Sequence, residues 1–317
     1  MYETDLAVSA EGLGRRYGDL WALRDLDLEV PRGTVLGLLG HNGAGKTTAV
    51  RILTTLLAPS EGRASVAGCD VTAEAAELRT RIGLAGQQAT VDGLLTARAN
   101  LELVGRLYHL GRARSRARAD ELLERLDLAD VGDRLVRTFS GGMRRRLDVA
   151  AALVAAPPVL FLDEPTTGLD PRSRAELWKL LGELVGDGAA LLLTTQYLEE
   201  ADRLADDVLV LSAGRTVAHG SPRELKARIG GERLEVSVGP DGDLDAAAAA
   251  LAPFASDAPF VDHAGGLAVA PVDPGVALVD VVRGLDAAGV SVRDLHRREA
   301  TLDDVFLTLT ETEKVAA

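Results

Sequence analysis

The chain has 317 residues, 47% apolar and only 3% aromatic, enough for a large and a smaller domain with cores built from Leu, Val, Ile and Ala. A formal charge of −13 argues against nucleic acid as the main partner, because phosphate contacts need a basic face. The charge is uneven: from Gly231 onward there are 16 acidic and 6 basic residues, against 32 and 29 before it, which makes the tail a separate electrostatic unit.

In chain order, the opening MYETDLAVSAEG carries neither the basic nor the apolar stretch of a secretory signal. Short strands are expected at residues 28–30 and 34–39, flanking the turn Pro31-Arg32-Gly33. The second run is continuously apolar, as in a strand buried on both faces. A glycine loop follows, then a helix over residues 45–57 and strands at 64–67 and 81–85. The single cysteine, Cys69, has no internal disulfide partner, which fits a reducing compartment.

Residues 96–156 differ. Leucines and valines recur at helical spacing, and a helical insertion is predicted there. Within it, Arg112, Arg114, Arg116 and Arg118 read as a solvated turn between helices in preference to a contact with anionic lipid headgroups. A second α/β stretch follows, with strands at 159–162, 190–195, 208–211 and 216–218 and helices at 172–185, 198–205 and 222–229. Alternation of strands and helices implies a largely parallel sheet. The longest apolar stretch, near 149–162, is broken by Pro157 and Pro158 and falls short of the roughly 20 residues a membrane helix needs. A soluble chain is expected, with any membrane role exercised through a partner.

Gly230-Gly231 marks a linker, so the domains expected are residues 1–230 and an acidic 231–317. The tail reads strand 234–238, helix 244–251, strands 259–262 and 267–271, helix 276–287, strand 290–296 and helix 302–309. That order suggests a small α+β, ferredoxin-like split βαβ unit.

Three motifs carry chemistry. The run from Gly40 to Thr47, GHNGAGKT, matches the phosphate-binding G-x-x-x-x-G-K-[ST] and lies between a buried strand and a helix, where such a loop must lie. Gly40, Asn42, Gly43 and Gly45, with Thr48 after the loop, let backbone N–H groups converge on phosphate at a helix N-terminus. Lys46 would reach the β/γ-phosphates and Thr47 would ligate Mg²⁺. The apolar strand 159–162 ends in Asp163-Glu164, at the carboxyl edge of the sheet where ligands bind. Asp163 suits Mg²⁺, and Glu164 suits a general base that orients water toward the γ-phosphate. Ser140-Gly141-Gly142 before a helix is a second anion-binding turn. One nucleotide needs only one such turn. Two make sense if each chain of a two-fold dimer offers its second turn to the nucleotide of the other.

These motifs, in this order and spacing, resemble the ATP-binding subunits of ABC transporters over residues 5 to about 225. The resemblance implies an α/β P-loop NTPase fold of the ABC type: a parallel core, antiparallel N-terminal strands and a helical insertion. It implies ATP and Mg²⁺ as cofactors, an ATP-sandwich dimer with a second copy, a separate transmembrane permease, and a place on the cytoplasmic side of the membrane. By the same resemblance, Tyr17 looks like the residue that stacks on adenine. Gln87, with Gln88 beside it as the alternative, looks like the glutamine that senses Mg²⁺ and the attacking water. Asp170, in Thr167-Gly168-Leu169-Asp170, looks like the acid of the loop that crosses the dimer. Met143 replaces the family's usual Gln and Gln196 its usual His. Both departures, and the tail segment EATLDDVFL, resemble the branch of daunorubicin-exporter ATPases.

An exporter motor is therefore the leading expectation. The runner-up is a soluble ABC-type ATPase of translation or repair, disfavoured by the single nucleotide domain and the absence of a basic stripe. A nucleotide-dependent interaction module with little turnover is the third, suggested by Gln196.

Overall fold

The computed structural model describes residues 6–87, 90–229, 232–239, 242–263, 265–306 and 308. Gln88, the Gly230-Gly231 linker, and Leu307 and Leu309 of the expected last helix lie outside them. The chain divides into two compact units, Met1–His219 and Gly220–Ala317.

The first unit opens with β1 (Leu6–Tyr17) and β2 (Leu20–Pro31), a long antiparallel hairpin. Only residues 28–30 were legible as strand here, because several register shifts break the alternation that marks a strand. β3 (Val35–Leu39) is buried at every residue and leads into the glycine loop and α1 (Lys46–Leu53). α1 stops four residues short of the expected end. Thr54 bonds its hydroxyl back to the Val50 carbonyl at 2.8 Å, and Thr55 takes φ 64.

β4 (Glu61–Val66) and β5 (Cys69–Asp70) complete an antiparallel sheet of order β2-β1-β4-β5. α2 (Ala75–Arg81) then precedes β6 (Ile82–Ala85); it was not foreseen, since only Leu78 of its residues is buried. The helical insertion contributes α3 (Ala97–Leu107), α4 (Arg112–Arg125) and α5 (Gly141–Leu153). The arginine run is not a turn. It forms the first half of α4, whose buried positions Ser115, Ala119, Leu122 and Leu123 keep helical spacing. A Cβ on Gly105 would lie 2.7 Å from the Ser115 hydroxyl, so the small residues let α3 and α4 pack closely.

β7 (Val159–Asp163), α6 (Pro171–Gly186), β8 (Ala190–Thr195), α7 (Leu198–Leu204), β9 (Asp207–Ser212) and β10 (Arg215–Gly220) follow. The central sheet has the order β10-β9-β3-β8-β7-β6, and β6, β7, β8, β3 and β9 pair in parallel. β7 and β8 are buried at every residue, and apolar clusters cover the sheet. The carboxyl ends of β3, β6, β7 and β8 therefore meet along one edge.

The second unit holds α8 (Pro222–Arg228), β11 (Glu232–Val238), α9 (Leu244–Leu251), β12 (Phe260–Asp262), β13 (Leu267–Val272), α10 (Leu278–Ala287) and β14 (Val292–Glu299). Its antiparallel sheet runs β12-β13-β11-β14, so each helical crossover skips one strand, a split βαβ arrangement. Leu234, Val236, Ala268 and Ala270 pack with Leu251, Val281 and Leu285 of the helices. On alternate residues, Arg233 and Glu235 are buried beside a charged clasp. Arg298 bridges Glu235 and Asp304, and Asp304 accepts from the Thr301 N–H at 2.7 Å. β14 runs on to Glu299, past the expected residue 296, because Glu299 pairs with Glu232.

Candidate functional site

The phosphate loop is built by backbone constraints. Gly40 takes φ 150, and a Cβ there would lie 2.4 Å from the Leu211 carbonyl oxygen and 2.8 Å from the Ala44 Cβ. Gly45 takes φ 111, where a Cβ would meet the Ala22 carbonyl at 2.8 Å. These two positions admit glycine alone. α1 starts at Lys46 with no side-chain cap and no acid in its first turn. Its leading N–H groups are therefore open to an anion, and the helix dipole favours one there.

Lys46 is 5% exposed and donates from Nζ to the Gly40 carbonyl at 2.6 Å and the His41 carbonyl at 3.2 Å. Burial lowers its pKa, and Glu164 and Asp163 oppose that shift. The ammonium thus sits under the loop with two carboxylates in electrostatic range.

One cleft of about 260 Å³ is lined by Asn42, Gly43, Gly45, Lys46, Thr47, Thr48, Gln87 and Glu164. A second, of about 310 Å³, is lined by Thr47, Gln87 and Asp163 among others. The fold thus gathers most of the expected phosphate, metal and base residues at the edge where β3, β6 and β7 end. Gln87 donates from Nε2 to the Thr47 hydroxyl at 3.2 Å.

Asp163 ends β7, is 3% exposed, and accepts from the Thr194 hydroxyl. Glu164 takes φ 55, a strained value for a residue with a side chain, and its N–H is held by the Thr194 carbonyl at 3.0 Å and hydroxyl at 3.2 Å. That turn sends two adjacent carboxylates different ways. Among the described residues no cluster of three or more His, Cys, Asp or Glu could hold a metal alone. Thr47 and Asp163 fit Mg²⁺ all the same, since that ion takes one or two protein oxygens and completes its shell with phosphate and water.

The other expected residues line neither cleft. Tyr17 ends β1, 48% exposed, with the Arg15 guanidinium 4.8 Å from its ring centre. Ser140 is the N-cap of α5 and accepts from the Met143 N–H at 3.2 Å. A Cβ on Gly141 would meet nothing within 4 Å, and one on Gly142 only the Leu169 side chain at 3.4 Å. No contact among the described residues demands glycine at 141. Asp170 caps α6 through the Ser173 N–H at 2.9 Å and hydroxyl at 2.8 Å, and these bonds, the N–H first, hold its pKa below the usual value. Gln196 is exposed just past β8 and does not cap α7, whose N-cap is Tyr197.

Four residues absent from the sequence-based set support the site. Arg145 and Asp148 lie buried behind it on α5, Thr194 bridges Asp163 and Glu164, and Glu200 of α7 ties the loop after β7 to α6. Glu200 accepts from the Thr166 hydroxyl at 3.2 Å and the Trp178 indole at 3.1 Å. Helical spacing offered one signal: Arg145, Asp148, Val149 and Ala152 share a face of α5 that is otherwise apolar.

Comparison with known proteins agrees with this geometry. Residues 23–167 match the ABC transporter family, and residues 220–310 match the C-terminal domain of DrrA1-3-like ATP-binding proteins. The chain is 57% identical to the daunorubicin resistance ATP-binding protein DrrA3 of Streptomyces coeruleorubidus, over 98% of both chains. It is 45% identical to the doxorubicin resistance ATP-binding protein DrrA of Mycobacterium tuberculosis, over 98% of this chain and 95% of that one. A solved ATP-binding subunit of an ABC transporter superposes with a TM-score of 0.66 at 28% identity, over 70% of this chain and 92% of that one. A dimeric post-hydrolysis ATP-binding cassette bound to ADP and Pi superposes with a TM-score of 0.63 at 26% identity, over 68% and 98%. With phosphate loop, acidic strand end and serine-glycine turn on one α/β scaffold, the chain belongs to the ATP-binding subunits of ABC transporters and is an ATPase of that family.

Proposed function

We propose that this chain is the motor of a drug or antibiotic exporter: two copies close on ATP and Mg²⁺, and hydrolysis drives a separate membrane permease from its cytoplasmic side. The observation that carries the dimer is the separation of the two anion turns. The phosphate cleft is lined by residues 42–48 with Gln87 and Glu164, while Ser140-Gly141-Gly142 stands elsewhere, exposed at Gly141, where no contact among the described residues requires glycine. A glycine whose freedom serves no internal contact fits the close approach of an external anion, here the nucleotide of the second copy. No helix among the described residues is long and apolar enough to cross a membrane, which supports a separate permease. The names of the drug-resistance relatives support the class of cargo.

In this reading, the open N-terminus of α1 and Lys46 bind the phosphates. Thr47 and Asp163 would hold Mg²⁺, which would supply positive charge against the phosphates. Glu164 accepts the proton of the attacking water, and Gln87 orients that water. Gln196 donates to the γ-phosphate through its amide, Tyr17 stacks on adenine, and Asp170 lies in the loop that meets the second copy.

The test pairs two variants. Glu164→Gln keeps size but removes the base, so ATP binding should persist while hydrolysis falls about a hundredfold or more. Ser140→Arg should block hydrolysis yet leave ATP binding to dilute single chains intact. Normal turnover by the first variant removes Glu164 as the base. Equal loss of ATP affinity in dilute chains of the second removes the cross-dimer role of Ser140.

A further inference from the structure

Behind the cleft, one guanidinium holds the backbone beside three of the hydrolytic groups. Arg145, on the second turn of α5, is 7% exposed. Its Nε donates to the Pro165 carbonyl at 3.0 Å, Nη2 to the Asp163 carbonyl at 2.6 Å, and Nη1 to the Gly86 carbonyl. Gly86 precedes Gln87, Asp163 is the residue assigned above to Mg²⁺, and Pro165 follows Glu164. Asp148 lies 3.5 Å from Nη1 and is itself fixed by the Thr90 N–H at 2.7 Å and hydroxyl at 2.8 Å. Burial lowers the pKa of Arg145 and raises that of Asp148, and the attraction between the two charges counters both shifts.

A buried ion pair of this kind is a poor stabiliser, because apolar side chains of similar volume commonly serve the core as well or better. What the guanidinium supplies that an apolar group does not is a planar fork of donors aimed at three carbonyls at once. It is also anchored to the helix that Ser140 caps, five residues earlier and so about 7.5 Å along the axis. A shift of the Ser140-Gly141-Gly142 turn therefore moves the anchor of Arg145.

We propose that Arg145 is a positioning residue that couples the seating of the Ser140-Gly141-Gly142 turn on a nucleotide to the placement of Gln87, Asp163 and Glu164 for hydrolysis. This rests on the site assignment made above. It assigns α5 the transmitting role: closure on one nucleotide is felt in the backbone around the other.

The test measures ATP hydrolysis and ATP binding by the full-length chain with its membrane partner. The variants are Arg145→Lys, Arg145→Gln, Ser140→Ala, the double variant Ser140→Ala with Arg145→Lys, and Glu164→Gln as control. A lysine carries its three donors on one nitrogen and cannot span the three carbonyls that Nε, Nη1 and Nη2 meet separately, so Arg145→Lys should lower kcat roughly ten- to a hundredfold, as small misplacements do, with KM and ATP affinity within about twofold of the parent. The double variant should be no slower than the slower single one, since both changes break one unit. Single losses that multiply in the double variant overturn the proposal, as does a kcat within about twofold of the parent in both position-145 variants. If Arg145→Lys does not fold, Arg145→Gln takes its place; if neither folds, Arg145 is a core residue and the proposal falls. An inactive Glu164→Gln beside two unimpaired position-145 variants sinks this proposal alone, whereas a fully active Glu164→Gln sinks the site assignment beneath it.

Discussion

Thr194 offers a direct measure of how the site is held. It is fully buried in β8, and its hydroxyl donates to Asp163 Oδ1 while accepting the Glu164 N–H at 3.2 Å. Thr194→Val exchanges that hydroxyl for a methyl at nearly constant volume. The Glu164 N–H keeps the Thr194 carbonyl at 3.0 Å, so the loss falls on Asp163, a buried carboxylate deprived of a donor. A hydrogen bond to a charged group contributes about 1.5–3 kcal/mol. In a unit of this size each kcal/mol moves the melting temperature by about 2–4 °C, so Tm should fall by about 3–12 °C. Thr194→Ser is the control: it keeps the hydroxyl and forfeits one methyl, about 0.8 kcal/mol. Melting of the nucleotide-free proteins and steady-state phosphate release are the assays. The valine variant should melt lower than the serine variant and hydrolyse roughly tenfold more slowly, because the carboxylate proposed to hold Mg²⁺ is no longer oriented. A valine variant that equals or exceeds the serine variant in both would refute the bridging role.

Two further outcomes follow from the same geometry. Burial raises the Glu200 pKa above its ordinary 4.5, so the folded state holds that proton more tightly than the unfolded chain. The stability from this group is complete below the unfolded value and is lost as pH rises through the folded one. Glu200→Gln should therefore melt increasingly above the parent as pH is raised from 4.5, and a gap that stays constant with pH would contradict this. At Gly40 an added Cβ meets the Leu211 carbonyl at 2.4 Å, whereas at Gly43 it meets nothing within 4 Å. Gly40→Ala should weaken ATP binding at least tenfold more than Gly43→Ala, because the latter incurs only the backbone strain of about 1–3 kcal/mol. Equal affinities, measured by nucleotide titration, would show that the Gly40 contact is not limiting.

Local sequence determined the parts of this protein whose physics is local. A continuous apolar run makes β3, β7 and β8 buried strands, the glycine spacing specifies the phosphate loop, and an apolar strand ending in Asp163-Glu164 points its acids at the ligand edge. Sequence reading failed where few side chains reach a core. α2 buries only Leu78, and the arginine-rich half of α4 buries only the small residue Ser115. Tertiary structure alone decided which distant groups meet. The strand order β3-β8-β7-β6 sets Thr194 beside Asp163 and brings Gly86, Asp163 and Pro165 to Arg145, although these lie 18 to 59 residues apart in the chain. Periodicity reports only which face of its own element a residue occupies. It carries no information about which strand will lie alongside, and that choice made Arg145, Thr194 and Glu200 part of the site.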